Sequence, residues 1–195
     1  MPISTLRGPG FMSDLQPVPS GVAIEPVVSA SGELSVVDLS LTAKWRAFSG
    51  YEGVRPGNSK HSGGRLVWSV SPGEWTVLEP RPEPDQPEHD QPEHDQVVDL
   101  THVRAMFRVT GKDGPGLLAK LCALDLGDDM FPNGAAARTL VAGVATELVR
   151  DDEGEVRSYL VLPSRSFGRY ILDVIRDAGE EFGLQQLPVA HGATR

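Results

Sequence analysis

The chain has 195 residues, a formal net charge of −9 and a single cysteine. It is longer than a domain of roughly 100 to 150 residues and too short for two large ones, so one globular body or two small lobes fit. The acidic excess and the lack of a basic stripe argue against a nucleic-acid partner, whose phosphates Lys and Arg would have to neutralise.

Residues 1–30, opening with "MPISTLRGPGFMSDLQPVPSG", are rich in Pro, Ser and Gly without a clear period and read as an extended or disordered arm. They contain no apolar run of signal-peptide length, and no stretch approaches the roughly 20 apolar residues of a membrane span. The expectation is a soluble cytoplasmic chain with no membrane partner. Residues 31–80 read as a first lobe of strands: "LSVVDLS", "WRAFSG" and a hairpin pairing Leu66 to Val70 with Trp75 to Leu78 around "SPGE". Trp45, Trp68 and Trp75 are expected to anchor the hairpin's apolar face; a stacking platform for a flat ligand would need convergent polar groups beside them.

Residues 81–96, with the repeated unit "DQPEH", read as an acidic, Pro-rich, solvated linker. His89 and His94 invite a metal reading, but ligands on such a linker must first be ordered at an entropic cost. Residues 97–187 form a second lobe. Its "MFRV" alternates like a half-buried strand, and "KDGPGLLAKLCALDL" predicts a short helix, with Asp113 as N-cap and Pro115 in the first turn. Two strands follow, Thr139 to Val149 and Arg157 to Leu162, joined through "DDEG".

The last element, "SRSFGRYILDVIRDAGEEFG", spaces Phe167, Tyr170, Ile171, Val174, Ile175, Ala178 and Phe182 along one face. It predicts an amphipathic helix capped by Ser164 or Ser166 and ended by Gly183. Arg165, Arg169 and Arg176 fall mainly on other faces, either as a solvated surface with Asp173 and Asp177 or as a docking surface for a carboxylate-bearing partner. Residues 188–195 are a tail.

Catalytic constellations are sparse. "GKDGPG" lacks the Gly-Lys-Ser/Thr ending of a phosphate loop. Asp99 and His102 could be drawn as base and acid, yet Asp99 and Thr101 equally suit a turn, and the related segment upstream has Leu41 in place of His102. Cys122 sits among Leu, Ala and Lys, with no activating base in its sequence neighbourhood. Metal-ligand spacings and a dinucleotide fingerprint are missing as well. A structural or interaction role is therefore the better default, with no catalytic, cofactor or metal residues expected.

One feature is duplicated. "VVDLSLTAKWRAFSG", Val36 to Gly50, returns as "VVDLTHVRAMFRVTG", Val97 to Gly111, and Gly53 aligns with Gly114. Two copies of a strand, helix and hairpin unit suggest an α+β body of two pseudo-symmetric lobes.

The string from Val97 to Gly111, then Cys122 to Leu126 ("CALDL"), Phe131 to Val144 ("FPNGAAARTLVAGV") and Arg165 to Asp173 ("RSFGRYILD"), resembles the gamma subunit family of heterotetrameric sarcosine oxidase. The strong match runs from Val97 to Gly183, and the copy at Val36 to Pro80 fits more loosely. The resemblance implies a fold like the folate-binding domain of the glycine cleavage T-protein. It also implies membership of a complex that oxidatively demethylates sarcosine to glycine, in which this chain is non-catalytic and serves assembly or stability. The implied partners are the alpha, beta and delta subunits, which would hold the FAD, FMN, NAD, tetrahydrofolate and zinc. Phe131, Arg138, Arg165, Phe167, Arg169 and Tyr170 become candidate subunit contacts. Two rivals stand beside this reading: an independent folate-dependent one-carbon transferase or iron–sulfur assembly factor, and a free-standing scaffold or small-ligand module.

Overall fold

The structure, a computed structural model, describes residues 27–79 and 97–184. Residues 1–26 of the expected arm, the acidic stretch with His89 and His94, and residues 185–195 lie outside the described residues. Val27 and Val28, expected in the arm, instead pair as a strand with Val36 and Ser35, and Val27 is buried in the core. What is described is an α+β fold dominated by antiparallel sheets.

A six-stranded sheet contains β1 (Val27–Val28), β2 (Leu34–Asp38), β8 (Phe107–Gly111), β11 (Ser158–Pro163), β10 (Val144–Arg150) and β9 (Ala136–Val141), in that spatial order. A five-stranded sheet runs β4 (Asn58–Ser62), β5 (Arg65–Ser71), β6 (Glu74–Leu78), β3 (Lys44–Ala47) and β7 (Val97–Asp99). Two helices, α1 (Gly114–Ala119) and α2 (Gly168–Gly179), cover one face of the larger sheet.

Burial explains the layers. Leu117, Leu118, Ile171, Ile175 and Ala178 of the helices pack on Val36, Phe107, Val109, Tyr159 and Val161 in the largest core. The opposite face of that sheet places Met106, Val149, Leu160 and Leu162 against Leu66, Trp68 and Leu78 of the smaller one. Strand β11 is therefore covered on both sides, and all six of its residues are buried. A third cluster of Ala47, Val54, Val67, Trp75 and Val77 covers the far face of the smaller sheet. Trp68 and Trp75 thus serve opposite faces of their hairpin rather than one. Trp68 lies across from Thr76, so Trp75, one residue earlier, must point the other way.

The duplicated segment acquires a structural meaning, but the expected strand, helix and hairpin unit is not repeated whole. Among the described residues 27–79 no helix forms, because "GVRPGNSK" of the first copy lacks the apolar period that "GPGLLAKL" gives the second. Strand β2 of the first copy pairs with β8 of the second, while β7 of the second pairs with β3 of the first. Each sheet therefore holds strands from both sides of the acidic stretch. The "DLS" and "DLT" motifs close the exchange with equivalent hydrogen bonds. Asp38 Oδ1 accepts from the Ser40 amide at 2.8 Å, and Asp99 Oδ1 accepts from the Thr101 amide at 2.7 Å. The Ser40 hydroxyl then accepts from the Met106 amide of the second copy, and the Thr101 hydroxyl from the Lys44 amide of the first. Gly50 and Gly111, which end the two copies, both have positive φ, 90° and 132°. At Gly111 a Cβ would stand 2.0 Å from the Glu33 carbonyl oxygen, so only glycine fits.

Several expected elements change. The strand expected from Thr139 to Val149 is two, β9 and β10, folded at Ala142 (φ 48°) and Gly143 (φ 80°). Consecutive left-handed residues make the tight turn whose twist suits a hairpin. Strand β4, "NSKHS", has no apolar residue to betray it; it pairs with β5 and bridges to Ala135. Asp113 sits at the N-cap of α1 without a side-chain hydrogen bond, and neither Ser164 nor Ser166 caps α2, which begins at Gly168 behind a 3-10 turn, Arg165–Phe167. Gly183, with φ 78°, does end the final turn. Phe167 and Tyr170, expected on the apolar face, are 47% and 48% exposed.

Candidate functional site

The densest polar arrangement lies between the two sheets. Strand β10 carries Glu147 into that interface, where it is 2% exposed. Arg46 of β3 donates from Nη2 to Glu147 Oε1 at 2.7 Å, the Trp68 indole Nε1 of β5 donates to Oε2 at 2.9 Å, and Thr76 of β6 reaches Oε2 at 3.3 Å. Arg138 Nη2 of β9 and Arg104 Nη2 stand 3.5 and 3.6 Å from Oε1. Arg46 also donates to Glu74 Oε2 at 3.1 Å.

Burial by itself would push the Glu147 carboxyl up. The Arg46 charge, the hydrogen bonds from Trp68 and Arg46, and the Arg104 charge outweigh it and hold the carboxyl below its usual range. A carboxylate so held is a weak base and has no proton to donate near neutrality, which unsuits it to general acid or base work. What it does is bind one sheet to the other.

Lys44 is the second buried ion. Its Nζ donates to the carbonyls of Ser40 and Thr42, each at 2.8 Å. Burial and then the Arg165 charge lower its pKa to about 8, against the opposing pull of Asp99 and Asp38. With no exposed surface, the amine is enclosed rather than presented as a nucleophile.

A third cluster fixes the "FPNG" segment. Arg150 binds Asp152 through Nε and Nη2, Asp128 at 2.6 Å and the Phe131 carbonyl at 2.9 Å. The Arg150 hydrogen bond, with Arg157 alongside, keeps the Asp128 carboxyl below its ordinary value. The Tyr159 hydroxyl lies buried nearby without a hydrogen-bond partner among the described residues.

The sequence candidates scatter. Phe131 is 4% exposed and belongs to the core, whereas Arg138 joins the Glu147 cluster with its side chain half exposed. Phe167 and Tyr170 lie exposed around the start of α2, where the Tyr170 hydroxyl donates to the Ala142 carbonyl at 3.1 Å. Arg165 is exposed beside Val103, and Arg169 pairs with Asp173 one helical turn on. Asp99 Oδ1 is engaged in its turn and His102 is exposed. Cys122 is half buried, its thiol pushed up by burial despite a backbone hydrogen bond at Leu124. Among the described residues, no three His, Cys, Asp or Glu side chains are grouped to hold a metal. An open surface depression of about 380 Å³ is lined by Gly32, Glu33, Gly111, Lys112, Glu155, Val156 and Arg157.

Glu147, Arg46, Arg104 and Lys44 were not among those candidates. The available signal was charge at inward positions of apolar strands, in "KWRA" and "VATELVR".

Comparison with known proteins places this architecture. No family model matches the chain, and no curated protein does. Among solved structures, it matches a chain of the heterotetrameric sarcosine oxidase from Corynebacterium sp. U-96 in complex with pyrrole 2-carboxylate. The two share a fold. The TM-score is 0.64 at 21% identity, over 82% of this chain and 91% of that one. The enzyme is the one whose gamma subunit family the motifs resemble, and the likeness in structure is one of fold. No helix among the described residues is long and apolar enough to cross a membrane.

Proposed function

We propose that this chain is the gamma-type, non-catalytic subunit of a heterotetrameric sarcosine oxidase, acting in assembly or stability of a complex that demethylates sarcosine to glycine. The observation that carries the reading is the fold shared with a chain of such an enzyme over nearly its whole length. The character of the buried ions supports it, since Glu147, Lys44 and Arg150 hold segments together. Exposed Leu41, Val103, Phe167 and Tyr170 supply apolar surface for contact with another chain. In this reading the body is two pseudo-symmetric lobes exchanging one strand each, as the reciprocal bonds of Ser40 and Thr101 suggest. The alpha, beta and delta subunits carry the FAD, FMN, NAD, tetrahydrofolate and zinc, and the complex resides in the cytoplasm.

Co-expression with the alpha, beta and delta subunits encoded in the same genome tests this. The expected product is a four-chain complex with flavin absorbance that loses yield and thermal stability when this chain is omitted. Equal yield, stability and turnover without it would refute the proposal. Saturable binding of tetrahydrofolate to the isolated chain in a calorimeter would instead favour an independent folate-dependent protein.

A further inference from the structure

Three guanidinium groups converge on one oxygen, Glu147 Oε1: Arg46 at 2.7 Å, Arg138 at 3.5 Å and Arg104 at 3.6 Å. Glu74 adds a second carboxylate on the Arg46 side, so three positive charges face two negative ones. Arg104 has one further long bond, 3.4 Å to the Leu162 carbonyl. Each guanidinium has five N–H donors in a planar fork, and these long contacts leave most of those on Arg104 and Arg138 unspent among the described residues. Their side chains are 23% and 48% exposed, so another anion has access to them.

Among the described residues, the backbone beside Arg138 is unpaired on one side as well. Strand β9 ends its sheet among the described strands, with β10 on one side. The Arg150 amide donates to the Ala135 carbonyl, so residue 135 faces β10, whereas the Ala136 amide donates away from it, to Gly57. By the two-residue period, the amides and carbonyls of Arg138 and Leu140 also face away from β10, and no described strand pairs with them there. The two side chains share a sheet face, and Leu140 is 59% exposed. An unprotected edge with an apolar residue and unspent cations is a template for strand addition.

We propose that the edge of β9 from Arg138 to Leu140 takes an extended segment of a partner subunit, whose carboxylate side chain engages Arg138 and Arg104 and whose neighbouring apolar side chain covers Leu140. This rests on the subunit reading above. A second copy of this chain is the poorer occupant, because pairing β9 with itself brings another arginine where the surplus charge calls for a carboxylate.

The test compares the free chain with the assembled four-chain complex. Hydrogen exchange at the Arg138 and Leu140 amides is expected to slow on assembly by at least about tenfold, as for amides entering a sheet ladder. Leu140→Pro removes an outward amide, a position where an edge strand tolerates proline, and Arg138→Gln removes the charge. Each is expected to weaken assembly by about tenfold or more with the fold retained, while Lys60→Glu on the exposed strand β4 leaves assembly unchanged. If the wild-type chain does not assemble, the subunit reading falls and takes this surface with it. If it assembles while both amides exchange as freely as before, the surface alone is refuted. Should Leu140→Pro not fold, the exchange comparison on the wild-type chain decides.

Discussion

Glu147 and Lys44 are both buried ions with lowered pKa values, and the same direction means opposite things for stability. For a carboxylate, lowering marks a charged form that the fold favours. Glu147→Gln keeps the shape but leaves the three guanidiniums facing Glu74 alone, with the Trp68 indole and Thr76 hydroxyl sharing a neutral partner. Breaking a buried pair from one side costs about 3 to 5 kcal/mol, which urea denaturation at pH 7 would register as a lower midpoint with unchanged slope. The wild-type contribution is fully present above the unfolded carboxyl value of 4.5 and is lost as pH falls through the lower folded value, so the variant lacks this part of the acid sensitivity.

For a lysine, lowering marks a charged form that the fold penalises. Lys44 faces Arg165, Asp99 and Asp38, and its pKa of about 8 lies below the ordinary 10.5. Between those two values the unfolded chain binds more protons than the folded one, so folding stability rises with pH. Lys44→Met is expected to abolish that rise. From pH 8 to 10.5 its stability relative to wild type falls by roughly 3 kcal/mol, the linkage equivalent of the shift, and denaturation curves at several pH values would check it. A parallel pH dependence in the two proteins would show that Lys44 is not the titrating group.

At the scale of elements, what was legible depended on how local the cause was. The β5–β6 hairpin and α2 could be read because a turn signal or a 3.6-residue period lies within a few neighbouring residues. The tight turn inside "LVAGVA" was missed because Ala142 is a poor residue for φ 48°; it is held there by its own amide bonding to the Leu121 carbonyl, a partner 21 positions away. Strand β4 was missed because its apolar pattern is nil and its existence rests on β5 and Gly134. The repeated "DLS" and "DLT" were visible as a repeat, but their work required knowing that each copy closes on the other. The Glu147 site was the least legible, since Arg46, Trp68 and Thr76 lie 101, 79 and 71 positions from it in the chain. Arg138, nine positions away across the hairpin, was named from the sequence as a candidate contact, and Trp68 only as an apolar anchor.

At the scale of the molecule, the exchange of strands means that neither half of the chain contains a finished sheet. Residues 27–79 would leave β2 without β8 and expose the inner faces of Leu66, Trp68 and Leu78. Residues 97–184 would leave Met106, Leu160 and Leu162 uncovered and Glu147 without Arg46 and Trp68. Fragments 1–88 and 89–195, made separately, are therefore expected to lack cooperative unfolding alone and to recover it when mixed. All three tryptophans belong to the first fragment, and Trp68 is fully buried in the intact chain. Fluorescence emission should accordingly shift to shorter wavelength on adding the second fragment, and the reconstituted pair should unfold in one urea transition. Two fragments that each fold and ignore one another would mean that the lobes are independent and that the crossed pairings of β2 with β8 and β3 with β7 contribute little. The shared carboxylate makes the first outcome the physical expectation, because separating the halves strands a buried anion from Arg46 and sends the indole and Thr76 hydroxyl back to water.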